Sequence, residues 1–276
     1  MDQDNYVIES IPEEAWRTSR RSFMKRLAGG GAAAGGFGWG SAASASPFKA
    51  LAEDLDALDP GDMGDERFWK AVRDQFTLRE DLALMNAANL CPSPYPVMET
   101  VFKYTRDVNA DASFQNRGKF SQAKEDARAK LARLLGATPD EIAIVRNTSE
   151  ANNTISSGFH LNEGDEILLS DLNHPSNNKA WEVKSRRYGF KINYVSVART
   201  PQGEEEIIQA FEKALTSKIR LLSFTHVSNT TGLTMPAKAL CKLARDRGIF
   251  VHVDGAQSFG ALNVNLADMG CDSYSG

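Results

Sequence analysis

Cysteine is scarce in this chain, and what there is lies scattered. Cys91, Cys241 and Cys271 stand far apart with no CxxC pair. That spacing argues against a zinc ribbon and a disulfide scaffold, and reads the three as small buried hydrophobes. A surplus of charge is missing too. The net charge is -4, so no global basic field draws nucleic acid or an anionic membrane. The glycines of a nucleotide P-loop are absent. No GxGxxG follows a first strand with an acid about 20 residues further on, so a Rossmann dehydrogenase is excluded. Beyond residue 45 there is no internal repeat and no low-complexity stretch.

What remains is ordinary globular composition. The chain has 276 residues, 42% hydrophobic and 25% charged, enough for one large α/β domain plus an incomplete second. The first 45 residues stand apart. They carry Ser19-Arg20-Arg21-Ser22-Phe23-Met24-Lys25, then a weakly apolar Gly/Ala stretch, then Ala43-Ser44-Ala45. The apolar part is too short and glycine-rich to span a membrane, and the small-x-small end fits a cleavage site. The segment resembles a twin-arginine export signal, which implies the export machinery as a partner and a periplasmic or extracellular location. That route moves folded proteins and so favours a tightly held cofactor. Residues 46–64 read as a linker or N-terminal arm, and residues 65–276 as the folded domain.

Within that domain, Phe68, Trp69, Val72 and Phe76 share a helical face. "LALMNAANLCPSPYPVMETVFKY" predicts a short strand, a Pro-rich loop and a helix from about Pro94. "KFSQAKEDARAKLARLLG" predicts an amphipathic helix stopped at Gly136. An alternation then begins. "EIAIVRN", "DEILLS", "FKINYVSV", "IRLLSFTHV" and "IFVHVD" read as strands, separated by helical segments. Strands alternating with such helices predict βαβ units and a mostly parallel sheet covered on both faces. In such sheets the ligand sits outside the carboxyl ends of the strands.

The predicted strand ends share a chemistry. After "EIAIV" come Thr148 and Ser149 at a helix start, where either can cap and free N–H groups attract an anion. After "DEILLS" comes His174 before Pro175, displayed for stacking on a flat ligand or for base chemistry. After "IRLLSF" comes Asn229, with hydroxyls and Gly232, in a turn pattern. After "IFVHV" comes Asp254, then Gly255, Ala256 and Gln257. A carboxylate there is costly to bury without a partner. An anion cradle, a flat-ring partner, an amide and an acid together fit pyridoxal phosphate (PLP). Its ring nitrogen becomes an electron sink when a carboxylate keeps it protonated.

"RNTSEANN", "NHPSN", "THVSNTTG" and "HVDGAQS", in this order, resemble the class V aminotransferase family of fold-type I PLP enzymes, which includes cysteine desulfurases and isopenicillin-N-epimerase-like proteins. The resemblance runs from about Asp65 to Gly276. It implies that Thr148 and Ser149 bind the cofactor phosphate, His174 stacks on the ring and Asn229 bonds the ring side. It further implies that Asp254 pairs with the ring nitrogen and Gln257 contacts the ring oxygen. Asn89, in "MNAANLCPSPYPV", and Arg117, in the "NADASFQNRGKF" loop, become candidate substrate contacts. The family's Schiff-base lysine belongs to a Ser-x-His-Lys element that "CDSYSG" does not reach, and Lys179, Lys184, Lys191, Lys238 and Lys242 sit at no matching strand end. The resemblance implies a large domain without its C-terminal small domain. The parent enzyme is then a homodimer acting at an amino acid's α-carbon through an external aldimine, as an aminotransferase or epimerase. A cysteine desulfurase and a non-catalytic remnant are the alternatives. The 276 residues alone are expected to be inactive.

Overall fold

The computed structural model describes residues 66–276. The expected export signal and the linker lie outside the described residues. Helix α1 spans Glu66–Asp74 and buries none of its own residues. Helix α2, Tyr95–Ala110, starts after Pro94 with Pro96 in its first turn, where a missing N–H costs nothing. Helix α3, Phe114–Leu135, is capped by Ser113, whose Oγ accepts from Asn116 N at 3.2 Å. It stops at Gly136, whose left-handed φ of 65° suits only glycine here, because a Cβ would meet Asn265 Oδ1 at 2.7 Å.

The remainder is a βαβ array. In chain order it runs α4 (Thr148–Gly158), β1 (Glu166–Ser170), α5 (Pro175–Tyr188), β2 (Lys191–Val195), α6 (Glu204–Ala214), β3 (Ile219–Thr225), α7 (Ala237–Arg245), β4 (Phe250–Asp254), α8 (Leu266–Met269) and β5 (Ser273–Ser275). The five strands order as β2-β1-β3-β4-β5, and every pairing is parallel.

Side-chain alternation sorts the strands onto two cores. Leu168, Leu222, Phe224, Val251 and Val253 join Ile207 and Phe211 of α6 and Leu240, Cys241 and Ala244 of α7. Ile167, Leu169 and Leu221 join Trp181 of α5, with Ile155 of α4 and Phe250 packed against them. Helices therefore cover both faces, as the sequence predicts. The order also makes β1, β3 and β4 interior strands with their carboxyl ends together.

Several expectations fail locally. "EIAIVRN" forms no strand, and neither does the apolar start of "LALMNAANL". A strand needs a ladder partner, and Ile144 and Val145 instead stand 47% and 38% exposed. Conversely, "CDSYSG" holds strand β5, which pairs in register with β4, His252 facing Ser273 and Asp254 facing Ser275. Helix α3 also starts earlier than its apolar period suggests, because Ser113 caps it. Cys241 is buried as expected and Cys271 partly so, but Cys91 is exposed. Among the described residues no helix is long and apolar enough to cross a membrane.

Candidate active site

The carboxyl ends of β3 and β4, the starts of α4 and α5 and the segment before α2 enclose a cleft of about 350 Å³. Thr148, Ser149, His174, Asn229, Asp254, Gln257 and Asn89 all line it. A larger hollow of about 850 Å³ beside β5 contains none of these groups, so the strand-end chemistry belongs to the smaller cleft.

The start of α4 is capped neither by Thr148 nor by Ser149 but by Asn147, whose side chain accepts from Glu150 N at 2.9 Å. Glu150 reaches back to accept from Arg146 N at 2.7 Å. With capping done by Asn147, the Thr148 and Ser149 side chains line the cleft at the positive end of the helix dipole.

His174 caps α5. Its Nδ1 accepts from Ser176 N at 3.2 Å and lies 2.7 Å from Ser176 Oγ. Nδ1 is therefore occupied as an acceptor, and a neutral His174 carries its proton on Nε2. The imidazole is exposed and displayed, as its place before Pro175 predicts.

Asn229 sits in the loop after β3. Gly232 N donates to Ser228 O at 2.9 Å, and Gly232 has a φ of 72°, so the predicted turn forms. The Gln257 amide donates to Asn86 Oδ1 at 3.0 Å, tying the loop after β4 to the segment that also brings Asn89 to the cleft.

Asp254 is 2% exposed. Its Oδ2 accepts from Asn152 Nδ2 at 2.9 Å and its Oδ1 from Ala256 N at 3.2 Å. Burial pushes its carboxyl above the usual carboxylate range, and the bonds from Asn152 and Ala256, nearby His174 and the Asn177 amide offset this only in part. Among the described residues no lysine or arginine acts on it.

Arg117 is not brought to the cleft. The expected closing loop is helical from Phe114 onward, and Arg117 lies exposed on α3, 5.5 Å from the centre of the Phe114 ring. Among the described residues no lysine lines the cleft. Asn86, Asn147, Ser176 and Thr225 line it unforeseen. Beneath them Asn177 and Ser223, both fully buried, exchange hydrogen bonds at 3.2 and 3.3 Å. Only strand parity could have flagged Ser223 and His252: they share a face with Leu221 and Phe250, where apolar residues are the rule.

An all-parallel sheet whose carboxyl ends hold a polar cleft has the architecture of the fold-type I PLP-dependent enzymes. A C-DES mutant with glycine covalently linked to its PLP cofactor superposes with a TM-score of 0.69 at 25% identity, over 74% of this chain and 54% of that one. Residues 84–276 match the family model for class-V aminotransferases, and the chain belongs to that family. Isopenicillin N epimerase of Amycolatopsis lactamdurans is 35% identical over 211 residues, 75% of this chain and 53% of the epimerase. A probable cysteine desulfurase of Methanothermobacter thermautotrophicus is 30% identical over 207 residues, 73% of this chain and 50% of that protein. The chain thus spans about half the length of these curated relatives.

Proposed function

We propose that the chain is the cofactor-binding portion of an exported PLP-dependent enzyme that acts at the α-carbon of an amino acid in the manner of an epimerase or aminotransferase. The observation that carries this reading is Asp254: a buried carboxylate, fixed by Asn152 and Ala256 N, with no lysine or arginine among the described residues acting on it. A buried charge without a counter-ion is costly, and a ligand that brings a ring N–H⁺ supplies what is missing. The rest of the cleft fits the same group. Thr148 and Ser149 at the start of α4 suit a phosphate. His174 offers an exposed ring face, and Asn229 and Gln257 offer amide donors to ring oxygens.

When bound, PLP supplies an electron sink for a carbanion at the substrate α-carbon. The protein's part is to hold it and tune it. Asp254 keeps the ring nitrogen protonated, and His174 restricts the ring's tilt. Asn89, at the cleft rim, is placed to meet the amino acid. Among the described residues no lysine lines the cleft, so these residues hold the cofactor by non-covalent contacts alone and are expected to be inactive by themselves. The reading favours epimerase-type chemistry because identity to the isopenicillin N epimerases reaches 35% and 33%, against 30% for the first two desulfurases. The export signal at residues 1–45 supports it too, since sulfur supply for clusters is usually internal.

Three measurements test the proposal. PLP titrated into the chain should give a saturable absorbance change that dialysis removes and borohydride does not fix. A dialysis-stable, borohydride-reducible band would refute non-covalent binding. The full-length enzyme should exchange the α-proton of an amino acid for deuterium, whereas sulfide released from cysteine without such exchange would favour a desulfurase. A reporter fused behind residues 1–45 should leave the cytoplasm, and changing both Arg20 and Arg21 to Lys should retain it. The homodimer belongs to the same proposal. Val101, Phe102 and Phe114, exposed at 55%, 55% and 80%, leave α2 and the start of α3 apolar toward solvent, as a subunit contact requires.

A further inference from the structure

Behind Asp254 lies a second polar layer that the proposed cofactor contacts do not use. His252, two residues earlier on β4, is fully buried. Its Nε2 is 2.9 Å from Asn152 Oδ1 and 3.4 Å from Ser275 Oγ, and its Nδ1 is 2.8 Å from Ser273 Oγ. Asn152, 1% exposed on α4, spans the gap to Asp254 through its Nδ2. The series Ser273–His252–Asn152–Asp254 thus joins β5, β4 and α4, and His252, Asn152 and Asp254 within it are buried.

Its direction is set by donor and acceptor chemistry. An ionised carboxylate only accepts, so Asn152 must turn its NH₂ toward Asp254. Its carbonyl oxygen then faces His252 and needs a donor. His252 Nε2 therefore carries the proton, and Nδ1 accepts from the Ser273 hydroxyl. Burial holds the His252 imidazole down to about 4, so the ring is neutral and one tautomer is demanded.

We infer that His252 is a positioning residue for Asp254. By donating from Nε2 to the Asn152 carbonyl, it fixes which end of that amide meets the carboxylate, and so keeps Asp254 ionised and aimed at a cationic ring nitrogen. A rotated Asn152 would set oxygen lone pairs against the carboxylate and remove the buried side-chain donor that lies 2.9 Å from its Oδ2. The inference rests on the PLP reading above, but His252 and Asn152 themselves line no part of the cleft.

The test compares PLP with its 1-deaza analogue, which lacks the ring nitrogen. The unaltered chain should bind PLP more tightly than the analogue. His252→Leu, which removes the donor, should cut that preference about tenfold, the value of one hydrogen bond to a charged group. His252→Gln, whose amide can still donate to Asn152, should keep most of it. Nitrogen-15 NMR of His252 in the PLP-bound chain should show the Nε2–H tautomer between pH 6 and 8. That readout needs no variant and stands even if His252→Leu fails to fold. A folded His252→Leu with unchanged preference, or an Nδ1–H tautomer, overturns the positioning role. If the unaltered chain shows no preference for PLP, the cofactor reading fails instead.

Discussion

Under α6 and α7 the sheet is apolar along β3 and β4, from Leu222 and Phe224 to Val251 and Val253, with Leu168 of β1 beside them. Under α4 and α5 it is apolar for only half its length. Ile167, Leu169 and Leu221 surround Trp181, and then Ser223, His252 and Asp254 meet Asn152 and Asn177. Both faces are equally dry, yet they do different things. The first gains stability simply by leaving water. On the second, each buried polar group named beyond the apolar half is matched with a partner, because an unmatched one would be costly. Among the described residues, Trp181 Nε1 in the apolar half has no hydrogen-bond partner, and where the cleft opens no lysine or arginine acts on the hydrogen-bonded Asp254 carboxylate. One face sets how stable the domain is, and the far half of the other sets what it can hold.

The largest effect that would break this contrast is on turnover. In the full-length enzyme, Asp254→Asn should leave PLP binding partly intact and cut α-proton abstraction by several orders of magnitude. Near-normal deuterium exchange would sink the assignment. The same change should help the ligand-free chain. Burial raises the Asp254 pKa, so its contribution to stability is complete below the unfolded value near 4 and is lost as pH rises through the raised folded value. Removing the charge should therefore raise the thermal midpoint of the ligand-free chain at neutral pH.

Next comes the apolar half. Trp181 is fully buried, and Trp181→Ala should cost about 3–5 kcal/mol in denaturant unfolding. A loss under 1 kcal/mol would show that this core is looser than drawn. Acid separates the polar half from it. The His252 pKa falls to about 4 in the fold, so its stability contribution is present above the unfolded value near 6.5 and is lost as pH falls toward 4. That loss is on the order of 3 kcal/mol, and unfolding curves across this range should flatten in His252→Gln. Smaller still, Asn147→Ala removes the α4 cap and should cost about 1 kcal/mol. Smallest is Phe102→Ser on the exposed side of α2, which should change unfolding of the isolated chain by roughly 0.5 kcal/mol or less. It should nonetheless weaken self-association in sedimentation.

The sequence exposes these regions unequally. β1 to β4 and their covering helices are legible because period-2 and period-3.6 runs alternate between glycine stops. β5 is not, since Ser273-Tyr274-Ser275 has no apolar run and becomes a strand only by pairing with β4. "EIAIVRN" misleads for the converse reason: it has a strand's composition and no ladder partner. That His174, Asn229, Asp254 and Gln257 gather in one cleft is legible because polar residues after β1, β3 and β4 interrupt apolar runs, and Thr148 and Ser149 join them through the start of α4 although no strand precedes it. Arg117 is misplaced because the Ser113 cap converts an apparent loop into helix. Asn152, Asn177 and His252 stay hidden, because inside a helix or strand a polar letter looks like a solvent-facing one until the covering element is known.

The Asn152 bonds to Asp254 and His252 join residues 102 and 100 positions apart, and β5 adds Ser273 to the same set. Gly255 belongs to this closure, because a Cβ there would lie 2.0 Å from the Tyr274 ring. Such distant partners cannot meet until the intervening strands have stacked, so topology makes the polar layer one of the slow steps of folding. On a ribosome, α4 emerges with its amide unanswered and waits for more than a hundred further residues before the carboxylate is held. The proposed cofactor site can therefore be completed only after most of the sheet is in place.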